Sequence, residues 1–210
     1  MAAHDLELRA FWQRAVAPAT GPLERLVARY REPHRRYHTT AHLGWVLRHV
    51  DELASNPVVG PSVGDLGAVI AAAFFHDAIY DPTSSRNEAD SAALARAELC
   101  ALGWVDDRTA SVADMIAGTA THRDPPDVDT GVLYDADLAV LGADPAAYGD
   151  YVRGVRAEYS HLDDAAWVVG RRGVLRSFLD RPVIFATVPG RDRWEAVARA
   201  NLSAELSTLS

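Results

Sequence analysis

The run from Leu66 to Phe75 is apolar on every side and stops at His76-Asp77. A helix of that length spans about 15 Å, half of a bilayer's hydrocarbon core, so the segment is too short to cross a membrane. A helix without a polar face must be surrounded by other elements, which puts Gly67 to Ala78 at the centre of a core. The rest of the chain supplies the surrounding faces. Leu23, Leu26, Val27 and Tyr30 form one stripe, Leu43, Val46, Leu47 and Val50 a second, and Tyr148, Tyr151, Val152, Val155 and Tyr159 a third. Each follows the spacing of one helix face. No strand pair with hairpin chemistry occurs. The sequence predicts an all-α bundle of roughly eight to ten helices, with room for a short strand at Val183 to Val188.

Local signals punctuate this pattern. Asp144-Pro145 reads as a capped helix start, and Ser85-Arg86-Asn87-Glu88 as a capping box. Breaks are expected at Asn56 to Gly64, Asp81 to Ser84, Asp124 to Thr130 and Arg181 to Gly190. At 210 residues, with neither a low-complexity linker nor an internal repeat, the chain reads as a single domain over 1–210.

Charge narrows the chemistry. All 21 basic residues counted as Lys+Arg are arginines, so there is no lysine for a Walker-type phosphate loop, a Schiff base or a pyridoxal phosphate anchor. The net charge of −8 argues against a nucleic-acid polymer as partner. Any bound phosphate would need a local cluster drawn from Arg35, Arg36, Arg86, Arg123, Arg171 and Arg172. The single cysteine, Cys100, excludes an internal disulfide framework and, in its Ala/Leu-rich surroundings, reads as a small core residue. His4, Asp5 and Glu7 stand where a signal peptide would be basic. The expectation is a cytoplasmic protein with no membrane partner, and homo-oligomerisation is left open.

Three clusters could carry chemistry. His34, His38 and His42 lie within nine residues, and His38 and His42 are one helical turn apart. Thr39 stands where a zincin would have glutamate, so a metalloprotease is excluded. Polar surface or capping histidines would give the same pattern. His76-Asp77 ends the most apolar helix, where an unpartnered imidazole and carboxylate would be costly. A divalent cation would satisfy both, as would a helix end with His76 on the last carbonyls and Asp77 facing water. Asp135 and Asp137 are two apart in an apolar helical segment, so they cannot both point the same way, and one is expected to look inward and the other outward.

In this order the clusters resemble the HD superfamily of metal-dependent phosphohydrolases, marked by a histidine, a His-Asp pair and a distant aspartate on successive helices. More narrowly, Arg36 to His42, Phe75 to Asp81, Asn87-Glu88 with Ser91, and Asp135 to Leu138 followed by Leu141-Gly142 look like a bacterial group of predicted HD phosphohydrolases. The resemblance spans about residues 30–142, with helices over 143–210 completing the bundle. It implies His42, His76, Asp77 and Asp137 as ligands of one divalent ion (manganese, iron, zinc, magnesium or nickel), with a second ion not excluded. It further implies hydrolysis of a small phosphate ester or anhydride, best a nucleotide, by metal-activated water. Asp77 and Glu88 are the catalytic candidates; Arg123, His122 and His38 are the substrate contacts. A non-catalytic nucleotide or metal sensor and a di-iron HD oxygenase are the rival readings.

Overall fold

The computed structural model describes residues 3–209 and is all-helical, with no strand among the described residues. The helices are α1 (Ala3–Ala15), α2 (Gly21–Arg29), α3 (Thr40–Ala54), α4 (Leu66–Phe75), α5 (Asn87–Ala101), α6 (Asp106–Gly118), α7 (Val128–Leu138), α8 (Pro145–Glu158), α9 (Asp164–Leu179) and α10 (Ala196–Thr208). Single turns at Gly60–Ser62 and Ala139–Gly142 link neighbours, and the turns Val188–Gly190 and Arg191–Glu195 lead into α10. None of these helices is long and apolar enough to cross a membrane.

α4 takes the central position that its composition requires. Every residue from Ala68 to Phe75 is buried, and α1, α3, α5, α6 and α7 pack around it. Trp12 of α1 meets Phe74 edge-on, with ring centroids 5.3 Å apart. Burying each such aromatic side chain stabilises the fold by about 1.5–3 kcal/mol. Caps then set where the chain turns. The Asp65 carboxylate accepts from Ala68 N at the start of α4, Asp127 from Thr130 N at α7, and Asp144 from Ala146 N and Ala147 N at α8. The cap at Asp127 starts α7 at Val128, inside the break expected to run to Thr130.

Three local expectations fail for identifiable reasons. α5 begins at Asn87 after Arg86, with no side-chain cap, so the capping box does not form. The helix starts one residue later than the box requires, which leaves Ser85 a place before the cap and Glu88 at the second helical position; Ser84 Oγ accepts from Arg86 N, and the Asn87 amide both accepts from Asp81 N and donates to Asp81 O, holding the preceding loop. Cys100 is exposed, with its Sγ 3.6 Å from Thr109 Oγ1. No strand forms at Val183 to Val188, because carboxylates take the backbone donors a strand would need. Glu195 accepts from Ile184 N and Phe185 N, and Asp135 from Ala186 N and Thr187 N.

One close approach tests the packing near the chain's C-terminal third. A Cβ on Gly142 would lie 2.4 Å from Trp194 Cβ and 2.9 Å from its Cα, where backbone has to move. Gly142→Ala should therefore destabilise the protein by about 1–3 kcal/mol in thermal unfolding.

Candidate metal centre

Three packed elements bring the distant motifs together. His42 lies on the first turn of α3, His76 and Asp77 follow the end of α4, and Asp137 is next to last on α7; these helices contact one another pairwise. His42 Nε2, His76 Nε2 and an Asp137 oxygen form a group that could hold a metal ion, with all atoms within 4.8 Å of each other. His42 Nε2 is 3.2 Å from both His76 Nε2 and Asp137 Oδ1. Asp77 Oδ2 lies 3.0 Å from His76 Nε2 and 3.3 Å from His42 Nε2.

The orientation of His76 is fixed from behind. Its Nδ1–H donates to Ala73 O at 2.8 Å, so the neutral ring turns the lone pair of Nε2 towards the cluster. This is the carbonyl contact foreseen for a helix-end histidine, yet it leaves the other nitrogen for a ligand. Among the described residues, His42 Nδ1 is buried and has no hydrogen-bond partner. Two imidazole nitrogens and two carboxylates thus converge in a buried space, an arrangement stable only around positive charge.

Without an ion, protons supply that charge. Burial pushes the His42 and His76 imidazoles down, but the Asp77 and Asp137 charges and hydrogen bonds outweigh it and hold both above the ordinary range. The carboxylates respond in kind. Burial would raise Asp77 and Asp137, yet His76, with His38 beside Asp77 and a His122 hydrogen bond on Asp137, holds them well below the usual carboxylate range.

The Asp135/Asp137 pair separates as its spacing requires, but neither carboxylate looks outward, since the Asp137 side chain is only 14% exposed. Asp135 is fully buried and turns away, accepting from Ala186 N, Thr187 N and Thr187 Oγ1 at 2.6–2.8 Å. Asp137 faces the cluster and also meets His122 Nε2 at 2.7 Å through its second oxygen. His122 and nearby Asp124 have φ of 47° and 46°, a left-handed backbone that is uncommon for such residues and often marks a functional site.

The other candidates fall on two cavities. One of about 410 Å³ is walled by Asp77, Glu88 and His38 with aromatic residues of α8 and α9. Arg123 is exposed and lines a different cavity of about 340 Å³, together with His122, Asp135 and Arg181. It is therefore not brought to the wall that holds Asp77.

The remaining arginines of the suggested phosphate cluster are dispersed and committed. Arg35 is buried and donates to His38 O, Asp77 O and Ala78 O, tying the histidine loop to the His-Asp loop. Arg171 forks onto Glu205 at 2.7 and 2.9 Å and donates to Tyr151. Arg36 bonds Pro33 O, Arg86 pairs with Asp90, and Arg172 bonds Leu209 O. Ser91 Oγ accepts from Ile79 N and so holds the loop after Asp77 against α5.

Glu158, at the end of α8, is a residue the motifs did not indicate. It is 4% exposed. Its Oε1 accepts from the backbone N of Arg36, Tyr37 and His38 at 2.7–3.0 Å, and its Oε2 from His38 Nδ1 at 2.7 Å and Tyr80 OH at 2.9 Å. One carboxylate therefore shapes the loop that delivers His38 and His42. Its nearest sequence clue is its position three residues after Val155, on the face of the α8 stripe but not among its apolar members. No family model, curated protein or solved structure matches this chain, so its function has to be read from these side chains and their surroundings.

Proposed function

We propose that this protein is a metal-dependent phosphohydrolase of the HD type that its motifs resemble, acting on a small phosphate ester or anhydride, best a nucleotide. The observation that carries the reading is the convergence of His42, His76 and Asp137 with Asp77 beside a cavity walled by Glu88 and His38. Two imidazoles and two carboxylates suit a divalent ion, and His42, His76, Asp77 and Asp137 would be its ligands. Such an ion, when bound, supplies Lewis acidity towards a phosphoryl oxygen and makes water a nucleophile near neutral pH.

The chain's own groups do the rest. Asp77 belongs both to the donor cluster and to the cavity wall, so its carboxylate can orient an attacking water. Glu88, on the first turn of α5, offers a second carboxylate on that wall to accept a proton. His38 donates Nδ1–H to Glu158, which leaves Nε2 to accept from a substrate hydroxyl. His122 steadies Asp137 and is the group that would favour a second ion, and with it the oxygenase reading.

Purified protein should release phosphate from at least one member of a panel of nucleotides and simple phosphate esters with manganese, magnesium, iron, zinc or nickel, and lose that activity on chelation. A bound metal with no turnover on the whole panel would favour the sensor reading. Protons and metal compete for the same Nε2 atoms, and both histidines hold their protons above the ordinary range. Metal affinity in calorimetric titration should therefore rise by about tenfold or more between pH 6 and pH 8. A pH-independent affinity would remove His42 and His76 from the ligand set.

A further inference from the structure

The C-terminal third, which carries no recognisable motif, builds much of the wall facing Asp77. Tyr151 and Tyr159 come from α8 and the turn that ends it, and Trp167 and Arg171 from α9. With Tyr80 they give the cavity four aromatic rings, and its volume of about 410 Å³ is in the range of small-molecule sites. Trp167 is only half-buried, and its ring lies 5.9 Å from that of Tyr159. Flat rings at the edge of a polar cavity are platforms for another flat ring, because stacking needs a π face and no particular hydrogen-bond pattern.

The charges on the same wall set a limit. Its one arginine, Arg171, already has the Glu205 carboxylate behind it, and the His38 ring is held by Glu158. Its anions, Asp77 and Glu88, face the same space. Arg156, whose guanidinium lies 5.3 Å over the Trp167 ring, is likewise committed, to Asp164 and to the carbonyls of Tyr159 and Leu162, so beyond what a divalent ion would bring no uncommitted arginine among the described residues of this wall offsets the added charge of a polyphosphate tail.

We infer that the cavity between Asp77 and α9 is a stacking site for a planar ring, and selects a nucleoside-sized aromatic compound bearing a single phosphoryl group over polyphosphates and flexible sugar phosphates. The inference rests on the hydrolase reading for where the phosphoryl group goes; the ring site stands on Trp167, Tyr159 and the charge of the wall.

The test is calorimetric titration of the full, chelator-treated chain with adenosine, ribose and ATP. Adenosine should bind, and ribose and ATP should each bind at least about tenfold more weakly, ribose for want of a ring and ATP for its charge. Trp167→Ala should weaken adenosine about tenfold or more, whereas Trp167→Phe, which keeps a ring, should stay within about threefold of the parent. Circular dichroism of both variants separates loss of the platform from loss of the fold. Absent adenosine binding, ribose or ATP binding as tightly as adenosine, or a folded Trp167→Ala with unchanged affinity would each overturn the inference. The titration uses neither metal nor turnover. Adenosine binding without phosphate release on any substrate would sink the hydrolase reading alone; phosphate release without adenosine binding would sink the ring site alone.

Discussion

Asp77→Ala should reduce bound metal by about an order of magnitude or more and bring phosphate release to background. Losing an inner ligand costs at least the 10–100-fold seen when outer partners are removed. The same change takes a carboxylate from the cavity wall, so kcat falls together with affinity. Asp135→Ala is the internal contrast. It strips three hydrogen bonds from Ala186 and Thr187, so it should lower stability by about 1–3 kcal/mol while metal stoichiometry stays at the parent value. Metal analysis and urea unfolding on both variants check the pair. Equal metal loss in both would mean that the separation of the two aspartates has no functional meaning.

The largest stability effect is expected at Glu158. Glu158→Ala leaves three backbone N–H groups, His38 Nδ1 and Tyr80 OH without their common acceptor in a site that is nearly closed to water. Breaking a buried charged network of this kind costs about 3–5 kcal/mol. The pH dependence has a definite sign. Burial raises the Glu158 carboxyl, but the His38 hydrogen bond and charge and the backbone N–H groups overcome it and hold the pKa at about 2, below the ordinary 4.5. A depressed carboxylate contributes fully above its unfolded value and loses that contribution as pH falls towards its folded one. The stability gap between parent and Glu158→Gln in urea should therefore be widest above about pH 4.5 and narrow towards pH 2. A gap that stays constant with pH would contradict this account of the network.

What could be read in the sequence was what depends on neighbours along the chain. The all-round apolarity of Leu66 to Phe75 located the central helix, and the Asp144-Pro145 pair located a cap, because both act within a turn or two. The spacing of Asp135 and Asp137 required that they diverge, and they do. The motif order led to His42, His76 and Asp137 as candidates, and the packing of α3, α4 and α7 brings them within reach of one another. What stayed hidden depends on partners far away in sequence. Glu158 binds a loop about 120 residues earlier, and Arg35 reaches carbonyls more than 40 residues on. Nothing beside either residue announces such a partner. The capping box at Ser85 failed because α5 starts one residue later than the box requires, with its first residue, Asn87, tied back to Asp81. The aromatic wall of α8 and α9 was visible only as a helical stripe, because periodicity shows that a face is covered and not what it faces.

The proposed divalent ion among His42, His76, Asp77 and Asp137 can be located by anomalous diffraction from zinc-loaded crystals at the zinc absorption edge. One peak per chain is expected, about 2.0–2.2 Å from His42 Nε2, His76 Nε2 and oxygens of Asp77 and Asp137. Full zinc loading with no peak at these four side chains, or with the peak elsewhere, such as the acidic wall of Asp107, Asp114 and Asp127, would contradict this placement.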